Sequence, residues 1–155
     1  MLTLISCVNH KENSLKGKEF LEFSLKNFKG EIVTSSNEFK RNKITLIDFW
    51  GTWCSSCVES MPSIQDLYTK YNNKGLGVLG ISVKDDYGKP QAYVNNRKYT
   101  YKFLLDGDSL AKKLKISTYP TFYLVDENSK IIYAESGTKF TYKKELEKII
   151  QEYIQ

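Results

Sequence analysis

The chain has 155 residues, 41% of them hydrophobic, which suits one domain with a sizeable core. It has no apolar run of about 18 residues and no repeat at a period of ~20–50 residues, and nine glycines with three prolines exclude collagen-like and low-complexity chains. The net charge of +5 comes from 23 basic and 18 acidic residues interleaved along the chain, which reads as a solvated surface and no nucleic-acid stripe.

The elements follow in chain order. Leu4-Ile5-Ser6-Cys7 resembles the bacterial lipobox, in which a cysteine after an apolar and a small residue becomes lipid-modified. A positive n-region is missing and the apolar run is short for a signal peptide. Residues 1–18 are expected to be a lipobox remnant and flexible tether, with Cys7 as the lipidation candidate, and residues 19–155 the folded domain. Phe20–Leu25 and Glu31–Thr34 flank Asn27-Phe28-Lys29-Gly30 and predict a β-hairpin with glycine at the turn. Ile44–Trp50 is a near-continuous apolar run, as in a strand buried on both faces. Cys57–Tyr71 has helical spacing and carries Pro62, which is expected to kink it. Leu76–Val83 is a second buried strand. Pro90 suits the first turn of a short helix reaching Lys98. Phe103-Leu104-Leu105 reads as a short strand, and Asp108 as the cap of a helix with Leu110, Ala111 and Leu114. Thr121–Val125 and Ile131–Ala134 are strands joined by the loop Asp126–Lys130. Thr141 is expected to cap a last helix that buries Tyr142, Leu146, Ile149, Ile150 and Tyr153. Strands alternating with helices, then two antiparallel strands, predict an α/β fold: a mixed sheet with helices on both faces and an N-terminal β-hairpin.

Three cysteines are too few, and odd in number, for a disulfide-stapled scaffold. The single histidine, His10, lies in the polar N-terminal segment, so a catalytic histidine in the core is excluded, and with it Ser-His-Asp hydrolases, Cys-His proteases and multi-His metal sites. Cys54-Ser55-Ser56-Cys57 falls where the first buried strand ends and a helix begins. There the orphan N–H groups and the positive dipole end favour thiolate over thiol. The spacing suits a dithiol in which one sulfur attacks and the second resolves the mixed disulfide. Half of a zinc site has the same spacing.

Asp48-Phe49-Trp50-Gly51-Thr52-Trp53-Cys54-Ser55-Ser56-Cys57, with Tyr119-Pro120-Thr121-Phe122 some sixty residues later, resembles the thioredoxin superfamily, and within it the TlpA/ResA-like thiol-disulfide oxidoreductases of the cell envelope. The resemblance covers about residues 20–155. It implies a thioredoxin-like mixed sheet, Cys54 as nucleophile, Cys57 as resolving thiol and Pro120 as a cis-proline beside the dithiol. It implies that the backbone of Tyr119 pairs with an extended substrate, with Trp53 covering the dithiol and contacting partners. Asp48, a carboxylate inside an apolar strand, matches the buried acid of thioredoxins. Burial should raise its pKa, and we expect it to take the Cys57 proton through a water as that thiol attacks the mixed disulfide.

The expected activity is reduction of disulfides in envelope proteins, on the periplasmic side, recharged by an envelope electron donor, with no metal, no organic cofactor and no nucleic acid. Two features depart from the branch. A glutamate common three residues after the second cysteine is Ser60 here. Glu59, rotated by ~100° on the helix, is expected to face solvent. The Ser55-Ser56 spacer lacks the common proline. The alternatives are a metal-binding module pairing Cys54 and Cys57 with Cys7 and His10, and a peroxiredoxin-type peroxidase, for which Thr52 is present but the accompanying proline is not.

Overall fold

The computed structural model describes residues 14–137 and 142–155. The Leu4–Cys7 motif, His10 and Thr141 lie outside the described residues. Strands β1 (Ser24–Lys26) and β2 (Ile32–Thr34) form the hairpin, followed by helix α1 (Ser35–Arg41) and strand β3 (Ile44–Trp50). Then come α2 (Ser55–Tyr71), β4 (Leu76–Ser82), α3 (Lys89–Arg97), β5 (Lys102–Leu104), α4 (Asp108–Lys113), β6 (Thr121–Asp126), β7 (Ile131–Ser136) and α5 (Tyr142–Ile154).

The main sheet has five strands in the order β5-β4-β3-β6-β7. β3 runs parallel to β4 and antiparallel to β6, which makes the sheet mixed. β3 is central and every one of its residues is buried, which is why its sequence shows no polar alternation. Its side chains still alternate between two cores. Ile44, Leu46 and Trp50 face a core with Met61 and Ile64 of α2, Val94 of α3 and Leu146 and Ile150 of α5. Ile47 and Phe49 face a second core with Phe20, Phe23, Phe39 of α1 and Leu110 of α4. Helices therefore cover both faces, as predicted.

Several local readings change. The hairpin strands are three residues each, because Phe20 and Phe23 turn into the second core instead of extending β1. Gly30 does close the turn at φ 78°, with the Asn27 side-chain oxygen accepting from the Lys29 and Glu31 N–H groups. α1 is an element the sequence pattern did not predict. Asp108 is not a cap: Gly107 occupies that position, and the Asp108 carboxylate instead accepts the Lys84 N–H at 2.9 Å. Tyr153 is exposed on α5, while Leu146 and Ile150 form its buried stripe. Pro62 lies inside α2 and has no N–H to offer the Val58 carbonyl. Gly17 and Lys18 bond to Ile131, so the chain joins the β6–β7 hairpin before β1 begins.

Candidate active site

The chain leaves β3 at Trp50 and enters α2 through Gly51-Thr52-Trp53. Cys54 is the N-cap of α2, and its Sγ accepts the Cys57 N–H at 3.2 Å. The cap position thus brings the sulfur to the orphan donors and the positive end of the helix. Cys54 and Cys57 form a disulfide with their Cα atoms 5.2 Å apart. Cys54 is 7% exposed and Cys57 fully buried, so Cys54 is the sulfur nearer the surface.

The loop before the dithiol is held by the residues that follow β4. The Asp85 carboxylate accepts the Thr52 N–H at 2.7 Å and the Thr52 hydroxyl at 2.5 Å. Trp53 donates its indole N–H to the Val83 carbonyl at 2.9 Å, and its ring lies so close over Gly51 that a Cβ there would collide with it. Trp53 remains 49% exposed. Its ring meets Tyr119 edge to face at 5.5 Å, and Lys84 places its ammonium 5.4 Å from the centre of the same tyrosine ring. The Tyr119–Pro120 bond is cis. The Ser56 hydroxyl lies 3.5 Å from Cys54 Sγ and donates to the Tyr119 carbonyl at 3.4 Å, so the spacer links the dithiol to the cis-proline loop.

Asp48 is fully buried, and neither carboxyl oxygen has a hydrogen-bond partner among the described residues. It lies between Leu46 and Trp50 in the β3 alternation, on the face that packs against Cys57 and α2. Desolvation pushes its pKa up from 3.8 to about 8, and no cation among the described residues offsets that effect. Ser60 is buried and donates to the Cys57 carbonyl at 2.8 Å, while Glu59 is exposed.

The structure thus brings Cys54, Cys57, Trp53, Tyr119 and Pro120 together at one surface and sets Asp48 in the core behind it. Ser56, Lys84 and Asp85 complete the site, and the motif reading did not single them out. A cavity of about 310 Å³ opens behind Asp85, between the β1–β2 turn and α3, but neither cysteine lines it. The dithiol instead borders the surface that carries Trp53 and Tyr119. Thr52, the residue a peroxidase pocket would use, has its hydroxyl engaged by Asp85.

Residues 16–134 match the model of the AhpC/TSA family. The chain belongs to that family. It is 31% identical over 135 residues to the thioredoxin-like protein YneN of Bacillus subtilis, covering 85% of this chain and 76% of the relative. It is 27% identical over 143 residues to the thiol-disulfide oxidoreductase ResA of Bacillus thuringiensis, covering 91% and 80%. The fold matches a crystal structure assigned as the thiol:disulfide interchange protein DsbE of Chlorobium tepidum, with TM-score 0.82 and 24% identity over 90% of this chain and 98% of that one. Family, relatives and fold together show a thioredoxin-like thiol-disulfide oxidoreductase, as the resemblance implied.

Proposed function

We propose that this member of the family reduces disulfides of extracytoplasmic client proteins. The observation that carries the reading is the graded burial of the site: an accessible Cys54 at the helix cap, a buried Cys57 behind it, and an unpartnered Asp48 carboxyl on the same face. The Cys54 thiolate attacks one sulfur of the client disulfide, forming a mixed disulfide and releasing the first client thiolate. Cys57 gives its proton to the Asp48 carboxylate and attacks Cys54 Sγ, releasing the second client thiolate. Two electrons pass to the client, and the Cys54–Cys57 disulfide seen here is the product. A donor in the envelope returns the two electrons. Trp53 and the Tyr119 backbone beside the cis bond form the docking rim for an extended client segment.

Redox titration against glutathione, followed by the fluorescence of Trp50 and Trp53, tests the direction. A potential near or below about −250 mV is expected, and one near about −120 mV would make the chain an oxidant. Cys57→Ser should hold client as a mixed disulfide on Cys54; failure to trap any would overturn the two roles. The extracytoplasmic address rests on Leu4-Ile5-Ser6-Cys7, with the residues ahead of Ser14 as tether to a membrane. Diacylglycerol on Cys7 in the native host is the expected mass-spectrometric result, and an unmodified cytosolic protein would defeat it.

A further inference from the structure

Asp48 shares its core with more unpaired polar groups than the proposed reaction uses. Among the described residues, the buried Tyr101 hydroxyl and the buried Trp50 Nε1 also lack hydrogen-bond partners, alongside both Asp48 oxygens. Buried polar groups are seldom left so. Trp50 and Tyr101 pack in one core with Cys57, and β3 alternation turns Asp48 to the same face.

Strand register brings the tyrosine to the carboxyl. Asp48 pairs with Gly80 on β4, and Gly80 pairs with Phe103 on β5. Two rings fill the place of the missing side chain: a Cβ on Gly80 would lie 2.7 Å from Phe103 and 3.2 Å from Tyr101 Cε2. That carbon adjoins the one bearing the hydroxyl. The Asp48 side chain starts one strand spacing away, about 4.8 Å. Phenol and carboxyl therefore border the same space without touching. A gap between a carboxyl and a hydroxyl suits a single buried water.

We propose that Tyr101 is a positioning residue for Asp48, holding the internal water through which the Cys57 proton reaches the carboxylate. The proposal rests on Asp48 being the proton acceptor. The tyrosine gains and loses nothing in the step: the Cys57 proton passes to the water, and a water proton passes to Asp48. Burial, with the Asp48 charge adding to it, holds the Tyr101 hydroxyl well above its ordinary pKa, so it stays a donor. The other groups that face the carboxyl are Cys57 from α2 and Tyr142 from α5, whose hydroxyl feels the Asp48 charge. A phenol supports a carboxylate without adding a second charge to the core.

The test reacts the reduced protein with oxidised glutathione. Attack by Cys54 scales with glutathione concentration, and the later release of glutathione by Cys57 does not. Tyr101→Phe keeps the ring and removes the hydroxyl. It should leave the first phase unchanged and move the pH midpoint of the second up by about one unit, which is about tenfold slower release at pH 7. Asp48→Asn should slow the second phase, and Tyr101→Phe should add nothing to it. If Tyr101→Phe matches wild type while Asp48→Asn is slow, the inference fails and the acceptor role stands. If Asp48→Asn also matches wild type, the acceptor role fails first. Equal slowing by Tyr101→Phe with and without Asp48 would reveal a packing effect and overturn the proposal. The infrared carbonyl band of protonated Asp48 gives a second readout: a shift in Tyr101→Phe is expected, and an unmoved band overturns it.

Discussion

A buried carboxyl that no cation accompanies costs stability whenever it is ionised. Asp48 is such a group, raised by desolvation from 3.8 to about 8. Below pH 3.8 the folded and unfolded chains both hold the proton, and no penalty arises. From 3.8 to about 8 the unfolded chain ionises while the folded one does not, so stability falls as pH rises, by up to about 1.4 kcal/mol per unit. Above about 8 both states are ionised and the penalty is constant. Asp48→Asn removes this titration. Its stability relative to oxidised wild type, measured by urea unfolding at fixed pH, should improve steadily from pH 4 to pH 8 and then level off. A difference that stays level across that window would show a folded carboxyl ionised throughout. The same desolvation that costs stability makes the ionised carboxylate a stronger base, which is what the proposed acceptor role of Asp48 requires.

At the scale of elements, the long buried strands were legible because burial on both faces leaves an unbroken apolar run, as in β3, β4 and β6. α1 was not, because it is seven residues long and carries one buried apolar side chain, Phe39. Tertiary contacts hold it instead: Ser35 accepts the Phe23 N–H, and Glu38 pairs with Lys102 at 2.5 Å. The hairpin was overextended because Phe20 and Phe23 look like strand residues but anchor a loop to the second core. In the site, the residues of the local motifs were readable: Cys54, Cys57, Trp53, Pro120 and Asp48. Asp85 was not, since it meets Thr52 across 33 positions and nothing local marks the pairing. Ser56 was seen as a spacer but not as a link to Tyr119, 63 positions away. Gly80 did carry a signal. A glycine inside a buried strand marks a close approach, and here the approaching groups are Phe103 and Tyr101.

Across the whole molecule, β3 divides the labour between its two faces. Toward α2, α3 and α5 stand Trp50, Asp48, Tyr101 and the two cysteines. Toward the hairpin, α1 and α4 stand Ile47, Phe49 and an aromatic cluster in which the Phe20 ring meets Phe23, Phe39 and Tyr123 edge to face. Of the groups that the proposed reaction uses, only Tyr119 also touches the second core, at its edge. Phe20→Ala should therefore cost about 3–5 kcal/mol, as large-to-small changes of buried aromatics do, a large share of the roughly 5–15 kcal/mol that holds a domain together. It should leave both phases of glutathione exchange unchanged at a temperature where the variant is folded, since groups on opposite faces of a sheet, some 10 Å apart with no shared partners, act additively. Calorimetry and the exchange kinetics on one sample decide the matter. A variant that loses stability and also shifts the pH midpoint of Cys57 release would show that the two cores are coupled through β3, and the separation of faces would not hold.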